Sequence, residues 1–380
     1  MNRKLLFTPG PLNTSAAVKE AMLRDVGSRD KDFIELVRGI RRRLLTLGGV
    51  SQEKGYEAVL VQGSGTFGIE SVLSSVVPKD GKILILANGA YGERMVKMVA
   101  RYGMDHEVLR WAENRPVEVA KVREKIVGDT RISHVAVVHC ETTTGILNPV
   151  AELGAAVRDA GRTFIVDAMS SFGAIPLDLQ KAKIDYLISS ANKCIQGVPG
   201  FSFVLARREC LEKCKGVART LSLDLWEQWK GLENDGQFRF TPPTHALLAF
   251  GAAIDELERE GGVSGRERRY SANQKLLVTR MKELGFVPYL EPALQSPIIT
   301  AYYYPPHANF KFEEFYTKLS DLGMVIYPGK LTAVECFRLG NIGDLFEGDI
   351  RALLQAIEKV LAEMKVPIPV PQPTVANAAL

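Results

Sequence analysis

Between residues 56 and 205 the chain alternates short, almost wholly apolar runs with longer stretches of helical periodicity. The runs fall at 58–61, 83–86, 134–138, 163–166, 186–188 and 201–205. A strand with one wet face alternates apolar and polar residues; these runs do not. They predict strands covered on both faces, and so an α/β fold with a mainly parallel sheet between helices. Ahead of them Ser15 is placed to cap a helix reaching about residue 23, and a second helical pattern spans 33–47. Thr8-Pro9-Gly10-Pro11 fits neither regular helix nor central strand, so the N-terminus is expected to be an arm that packs on something else.

A second pattern begins at FTPPT, residues 240–244, where the prolines break the chain. A long helix at 245–260, ended by Gly261-Gly262, reads as a bridge. Beyond it the periodicity predicts a helix at 267–284, a strand at 297–303, a helix at 312–322, strands near 325–327 and 336–339, and a helix at 348–365. The expected division is therefore an arm at 1–14, a large α/β domain at 15–250, a smaller α+β domain at 251–365 and a tail at 366–380. That tail holds four prolines without periodicity and reads as disordered or loosely packed. No internal repeat is visible.

Composition narrows the function classes. With 46% hydrophobic and 24% charged residues over 380 positions, the chain is ordinary globular protein. A net charge of +4 is only mildly basic, and the basic run Arg41-Arg42-Arg43 lies within a helical pattern rather than among aromatics. Nucleic acid is not the expected partner; small anions are. The five cysteines show no CxxC spacing, which predicts neither a zinc site nor a disulfide framework and points to a reducing compartment. The apolar run near the N-terminus is too short for a signal segment, and no stretch is long enough to span a membrane. A cytoplasmic protein is expected.

The chemistry gathers where apolar runs end. Lys193 lies in SSANKCIQGVPG, just past the 186–188 run, where a tight turn would partly desolvate its amine; desolvation lowers an amine's pKa and suits it to Schiff-base chemistry. Asp167 closes the 163–166 run, at the carboxyl end where open α/β sheets place ligands, although a helix cap would explain it equally. At 62–68, QGSGTFG passes from a strand into a helix and offers Ser64, Gly65 and Thr66 as an anion cradle. The same stretch matches the GxGxxG of nicotinamide enzymes. That fingerprint requires an acidic residue about twenty positions on, after the next strand, and here the strand leads to Asn88. A carboxylate and a lysine at neighbouring strand ends, with a phosphate seat, match what pyridoxal phosphate needs: an amine for its aldehyde and a carboxylate for its ring nitrogen.

Further candidates follow the same logic. Tyr91, in NGAYG, is placed to stack on a cofactor ring, and in ETTTG Thr142 is placed to reach its phenolic oxygen or phosphate. His139 and Cys140 read as strand-end core. Arg338, in FRLGNIG, sits between apolar neighbours and suits bidentate capture of a small acid; an internal ion pair is the plainer alternative. Lys330 and Arg29 are lesser candidates for a second anionic group.

These stretches, with TPGP at 8–11, VDAMSSFG at 166–173 and FTPPTH at 240–245, occur in an order that resembles the fold-type I pyridoxal phosphate aminotransferases of class V. The resemblance runs from the arm to about residue 365. It implies Ser64, Gly65 and Thr66 at the phosphate, Tyr91 at the ring face, Asp167 at the pyridine nitrogen, Lys193 as the Schiff-base lysine and Arg338 at the substrate acid. It also implies a homodimer whose active sites lie at the subunit interface, with Thr241 reaching the neighbour's phosphate. The activity it implies is ping-pong transfer of the amino group of 2-aminoethylphosphonate to pyruvate. Transfer from alanine or serine to glyoxylate is the alternative within the class, and a nicotinamide oxidoreductase the alternative outside it.

Overall fold

The computed structural model describes residues 4–329, 331 and 334–373. By its contacts the chain divides into two units: residues 14–141 and 147–266 form the larger, and residues 1–13, 142–146 and 267–380 the smaller.

The larger unit is built on seven strands: β1 (Tyr56–Gln62), β2 (Lys82–Ala87), β3 (His106–Arg110), β4 (Ile132–Val138), β5 (Thr163–Asp167), β6 (Tyr186–Ser190) and β7 (Phe201–Arg207). They lie in the order β1-β7-β6-β5-β4-β2-β3, and β7 runs opposite to the other six. Their apolar composition follows from burial on both faces: β2, β5 and β6 have almost no exposed residue. Each fully buried aliphatic side chain stabilises the fold by roughly 1.5–3 kcal/mol. Because β1, β2, β5 and β6 point the same way, the residues that follow them emerge along one edge of the sheet.

Six of the seven strands grow from the predicted runs. The exception is β3, HEVLR, a half-buried edge strand whose charged ends hide it from a search for apolar runs. Ser15 caps the first helix as expected, its hydroxyl accepting from the Val18 amide at 3.1 Å, but that helix stops at Glu20. The expected bridge is a correction. The helix Thr244–Arg259 places Leu247, Phe250, Ile254 and Leu257 in the larger unit's core, because its apolar arc is wide enough to be buried rather than to connect. The larger unit accordingly runs to Arg266, not to 250.

The smaller unit centres on an antiparallel sheet, Ile299–Tyr303, Cys336–Gly340 and Tyr327–Pro328, with Cys336–Gly340 in the middle. Helices Phe312–Asp321 and Glu347–Glu363 bury Phe315, Leu319, Leu353 and Ile357 in its core. The arm belongs here: Leu5–Leu6 pairs in parallel with Met324–Val325, Phe7 is fully buried, and the Gly340 amide donates to the Phe7 carbonyl at 3.0 Å. The tail departs from the loosely packed expectation over its first residues. Val366 and Val370 are buried in this core, and the Val370 amide donates to the Leu284 carbonyl at 2.8 Å. A proline-rich segment loses little chain entropy on docking, so two valines suffice without periodicity. Among the described residues no helix is long and apolar enough to cross a membrane.

Candidate functional site

The anion cradle forms where β1 turns into the helix Gly65–Val76. Ser64 is the N-cap in extended backbone, so the first amides of the helix point outward at the positive end of its dipole. Two glycines make the turn possible. Gly63 has φ +98°, and a Cβ at Gly65 would come within 2.1 Å of Met169 Sδ. Thr66 Oγ1 accepts a hydrogen bond from Arg94 Nη1 at 3.2 Å, and the Arg94 guanidinium also lies 4.8 Å from the centre of the Tyr91 ring. Tyr91 is the second residue of the helix Ala90–Arg101, and amides of its first turn are satisfied by a carboxylate from beyond the end of β4: Glu141 Oε2 accepts from the Tyr91 and Gly92 amides at 3.1 and 3.3 Å.

Asp167 ends β5, flanked by Val138 of β4 and Ile188 of β6. It is 5% exposed, and burial pushes its carboxyl up to about 6 against the opposing pull of the Met169 amide, Arg94 and Lys193. The Met169 amide donates to its Oδ1 at 2.9 Å. Lys193 follows β6 on a turn closed by the Gln196 amide to the Lys193 carbonyl, 2.8 Å, and the Gly197 amide to the Ala191 carbonyl, 2.9 Å. The Cys194 thiol donates to the Ser170 carbonyl at 3.2 Å, tying this turn to the loop that carries Asp167.

The structure therefore brings Ser64, Gly65, Thr66, Tyr91, Asp167 and Lys193 to the wall of one cavity. Sequence reasoning missed Arg94 and Met169, which share that wall. Arg94 had a signal: it lies three residues after Tyr91 and so on the same helical face. Together these groups offer an amine able to condense with a carbonyl, a buried carboxylate able to hold a cationic N–H, and a seat for an anion.

The other candidates are not among the residues that line this cavity. Arg338, 1% exposed, and Thr142 are brought together in the smaller unit: Arg338 donates through Nη1 to the Thr142 carbonyl at 2.9 Å and through Nε to the Pro328 carbonyl at 3.0 Å. Thr241 is exposed on the larger unit, with its carbonyl 3.4 Å from Gln62 Nε2. Arg29 is exposed, and Lys330 lies outside the described residues. His139 is core, as expected: burial lowers its pKa to about 4, and its Nδ1 lies 2.9 Å from Ser171 Oγ. Cys140, read as core too, is buried but also lines the cavity. Asn88, where a nicotinamide site would need an acid, pairs with Asn148 through amide hydrogen bonds of 2.8 and 3.0 Å.

Comparison with known proteins adds to this geometry. The family profile Aminotransferase class-V matches residues 13–337. The chain is 51% identical over 359 residues to a 2-aminoethylphosphonate–pyruvate transaminase of Bacillus cereus, covering 94% of this chain and 98% of that one. The relative of the same description from Bacillus anthracis matches equally. Among solved structures, ureidoglycine-glyoxylate aminotransferase from Bacillus subtilis superposes with a TM-score of 0.89 at 23% identity, covering 97% of this chain and 95% of that one. Pyridoxamine-pyruvate aminotransferase from Mesorhizobium loti does so with 0.88 at 21% identity, covering 97% and 94%. At those identities the two structures share the fold alone.

Proposed function

The chain belongs to the class-V aminotransferases, and from that premise we propose that it transfers the amino group of 2-aminoethylphosphonate to pyruvate, releasing phosphonoacetaldehyde and alanine. It is a pyridoxal phosphate enzyme of the fold-type I class. When bound, the cofactor supplies an aldehyde that takes up the amino group and a ring that accepts an electron pair from the reacting carbon. The donor set of the cavity fits it. The observation that carries this chemistry is the placement of Asp167 at the end of one strand and Lys193 just past the end of the adjacent parallel strand, in the same cavity as the Ser64–Thr66 cradle.

Each residue then has a task. The Gly65 and Thr66 amides at the helix N-terminus, with the Ser64 and Thr66 hydroxyls, hold the phosphate, and Arg94 fixes the Thr66 hydroxyl and adds positive charge. The Tyr91 ring, which lines the cavity, would lie against the cofactor ring. Asp167, ionised above about pH 6, holds the proton on the ring nitrogen. Lys193 would hold the cofactor through its Nζ, and the same amine, when unbonded, would be the base placed to take the proton from the carbon bearing the amino group. Arg338 receives the acid group of the substrate in a buried guanidinium fork, and Thr142 helps orient the cofactor's phenolic oxygen or phosphate. We place the active enzyme as a cytoplasmic homodimer in which the exposed Thr241 completes the neighbour's phosphate site.

Amino-donor profiling with pyruvate as acceptor tests the substrate assignment, which the near full-length identity to the Bacillus transaminases supports. Alanine formation from 2-aminoethylphosphonate is expected. Turnover of serine or alanine with glyoxylate, together with indifference to 2-aminoethylphosphonate, would overturn it in favour of the glyoxylate-type reaction.

A further inference from the structure

Arg266 is among the largest fully buried side chains of the described residues, at 1% exposure. A guanidinium without solvent destabilises the fold unless its charge and its donors are answered. One side of its fork is answered by a carboxylate: Nε donates to Glu260 Oε2 at 2.6 Å. Another is spent on a main-chain oxygen distant in sequence, with Nη1 donating to the Cys194 carbonyl at 2.6 Å. That carbonyl belongs to the residue immediately after Lys193.

The local backbone is shaped to deliver this contact. The chain passes from the helix Thr244–Arg259 into the helix Gly262–Glu283 through Gly261 and Gly262, at φ +98° and +69°. A Cβ on Gly265 would lie 1.9 Å from the Glu260 carbonyl oxygen, so only glycine lets the new helix fold back this closely. Arg266 follows directly and points at the turn that bears Lys193.

That turn has little regular structure to hold it. Its two closing bonds use the Lys193 and Ala191 carbonyls, and Gln196 sits at φ +66°, a left-handed conformation that costs a non-glycine residue energy. The Cys194 carbonyl is answered from outside by Arg266, and the Cys194 thiol grips Ser170. Lys193 therefore stands directly beside a residue that is tethered through both its carbonyl and its side chain.

We propose that Arg266 is a positioning residue for Lys193: by holding the Cys194 carbonyl it fixes the turn that aims the amine into the cofactor cavity. This rests on the reading of Lys193 as the cofactor-bearing lysine. A displaced amine slows steps that need its orientation and leaves substrate binding nearly intact, because misplacement by about 1 Å costs up to a hundredfold in rate.

The test uses holoenzyme with Arg266→Lys, which keeps a cation but loses the fork, and Glu260→Gln, whose amide oxygen still accepts from Nε. Two readouts are compared with wild type: the kcat and KM of transamination, and the pH midpoint of the cofactor absorbance that depends on Lys193. In R266K, kcat is expected to fall about tenfold or more with KM within about twofold, and the midpoint to move by about half a pH unit. In E260Q both are expected to stay at wild-type values while thermal stability falls. An R266K enzyme with unchanged kcat and midpoint overturns the proposal. So does an E260Q enzyme whose midpoint moves, which would trace the effect to charge; this arm decides the matter even if R266K does not fold. A wild-type spectrum indifferent to Lys193→Ala would instead overturn the assignment of Lys193, a result separable from both.

Discussion

The turn that carries Lys193 and the strand that carries Arg338 place a cation by opposite means. Arg338 lies in a middle strand, with Ala301 and Tyr327 as its partners on either side, and the ladder alone fixes where its Cα sits. Its guanidinium is anchored by two main-chain carbonyls, which suits the proposed role of binding an acid without moving. Lys193 has no ladder. Its turn is held by short-range backbone bonds, a thiol and a guanidinium reaching in from Arg266. For the role proposed for Lys193, bearing a cofactor, leaving it and returning, a support of separate tethers has an advantage, because it fixes the backbone without enclosing the residue in a ladder.

The largest test of this contrast is Lys193→Ala. Turnover is expected to fall at least about 10⁴-fold, since the proposed mechanism makes the lost group covalent carrier and proton acceptor together. Cofactor should remain bound through the cradle at Ser64–Thr66, measurable by equilibrium dialysis and by a changed absorbance band. A variant that turned over near the wild-type rate would end the assignment.

Arg338→Lys attacks the other support with a smaller expected effect. Lysine keeps the charge but cannot form the fork or reach both carbonyls, so kcat/KM for pyruvate should drop about 10- to 100-fold, the worth of one or two charge-assisted hydrogen bonds. Cofactor binding should not change. Stopped-flow measurement of each half-reaction checks this; loss confined to the amino-donor half would refute Arg338 as the acceptor's acid site.

The same contrast explains what the sequence could reveal. Strands buried on both faces announce themselves as apolar runs, so β1, β2 and β4 to β7 were legible, and with them the positions of Asp167 and the turn after β6. The edge strand β3 was not, because HEVLR keeps its charges at a half-buried edge. Arg266 was illegible for a related reason. It stands in RERR within a helix rich in charge, and nothing local marks it off from solvated neighbours; its burial comes from a turn many residues earlier. Glu141 was obscured likewise, since a helix cap across the site is a tertiary fact, whereas Arg94 was marked only by its helical spacing from Tyr91. The helix Thr244–Arg259 was visible as a helix, yet its place in the larger unit's core depended on how wide its apolar face is relative to what it covers.

Asp167 offers the finest test, because it separates a site's cost from its use. Burial holds its carboxyl at about 6, above the ordinary 3.8, so the folded state binds a proton that the unfolded state releases between those values. Stability from this group is fully present below pH 3.8 and is lost as pH rises through 6, about 3 kcal/mol over two pH units at roughly 1.4 kcal/mol each. Asp167→Asn removes the ionisation but leaves an oxygen to accept from the Met169 amide. Without cofactor, the variant should therefore be more stable than wild type at pH 7.5 by up to that amount, and the advantage should shrink toward zero near pH 4. With cofactor bound, the proposed site would give the carboxylate the ring nitrogen's proton as its partner, and the order of stability should reverse while activity is lost. Denaturant melts of both forms across this pH range read the two signs directly, and a D167N protein less stable than wild type in both forms would show that Asp167 supports the turn it begins rather than being held at a cost for the cofactor.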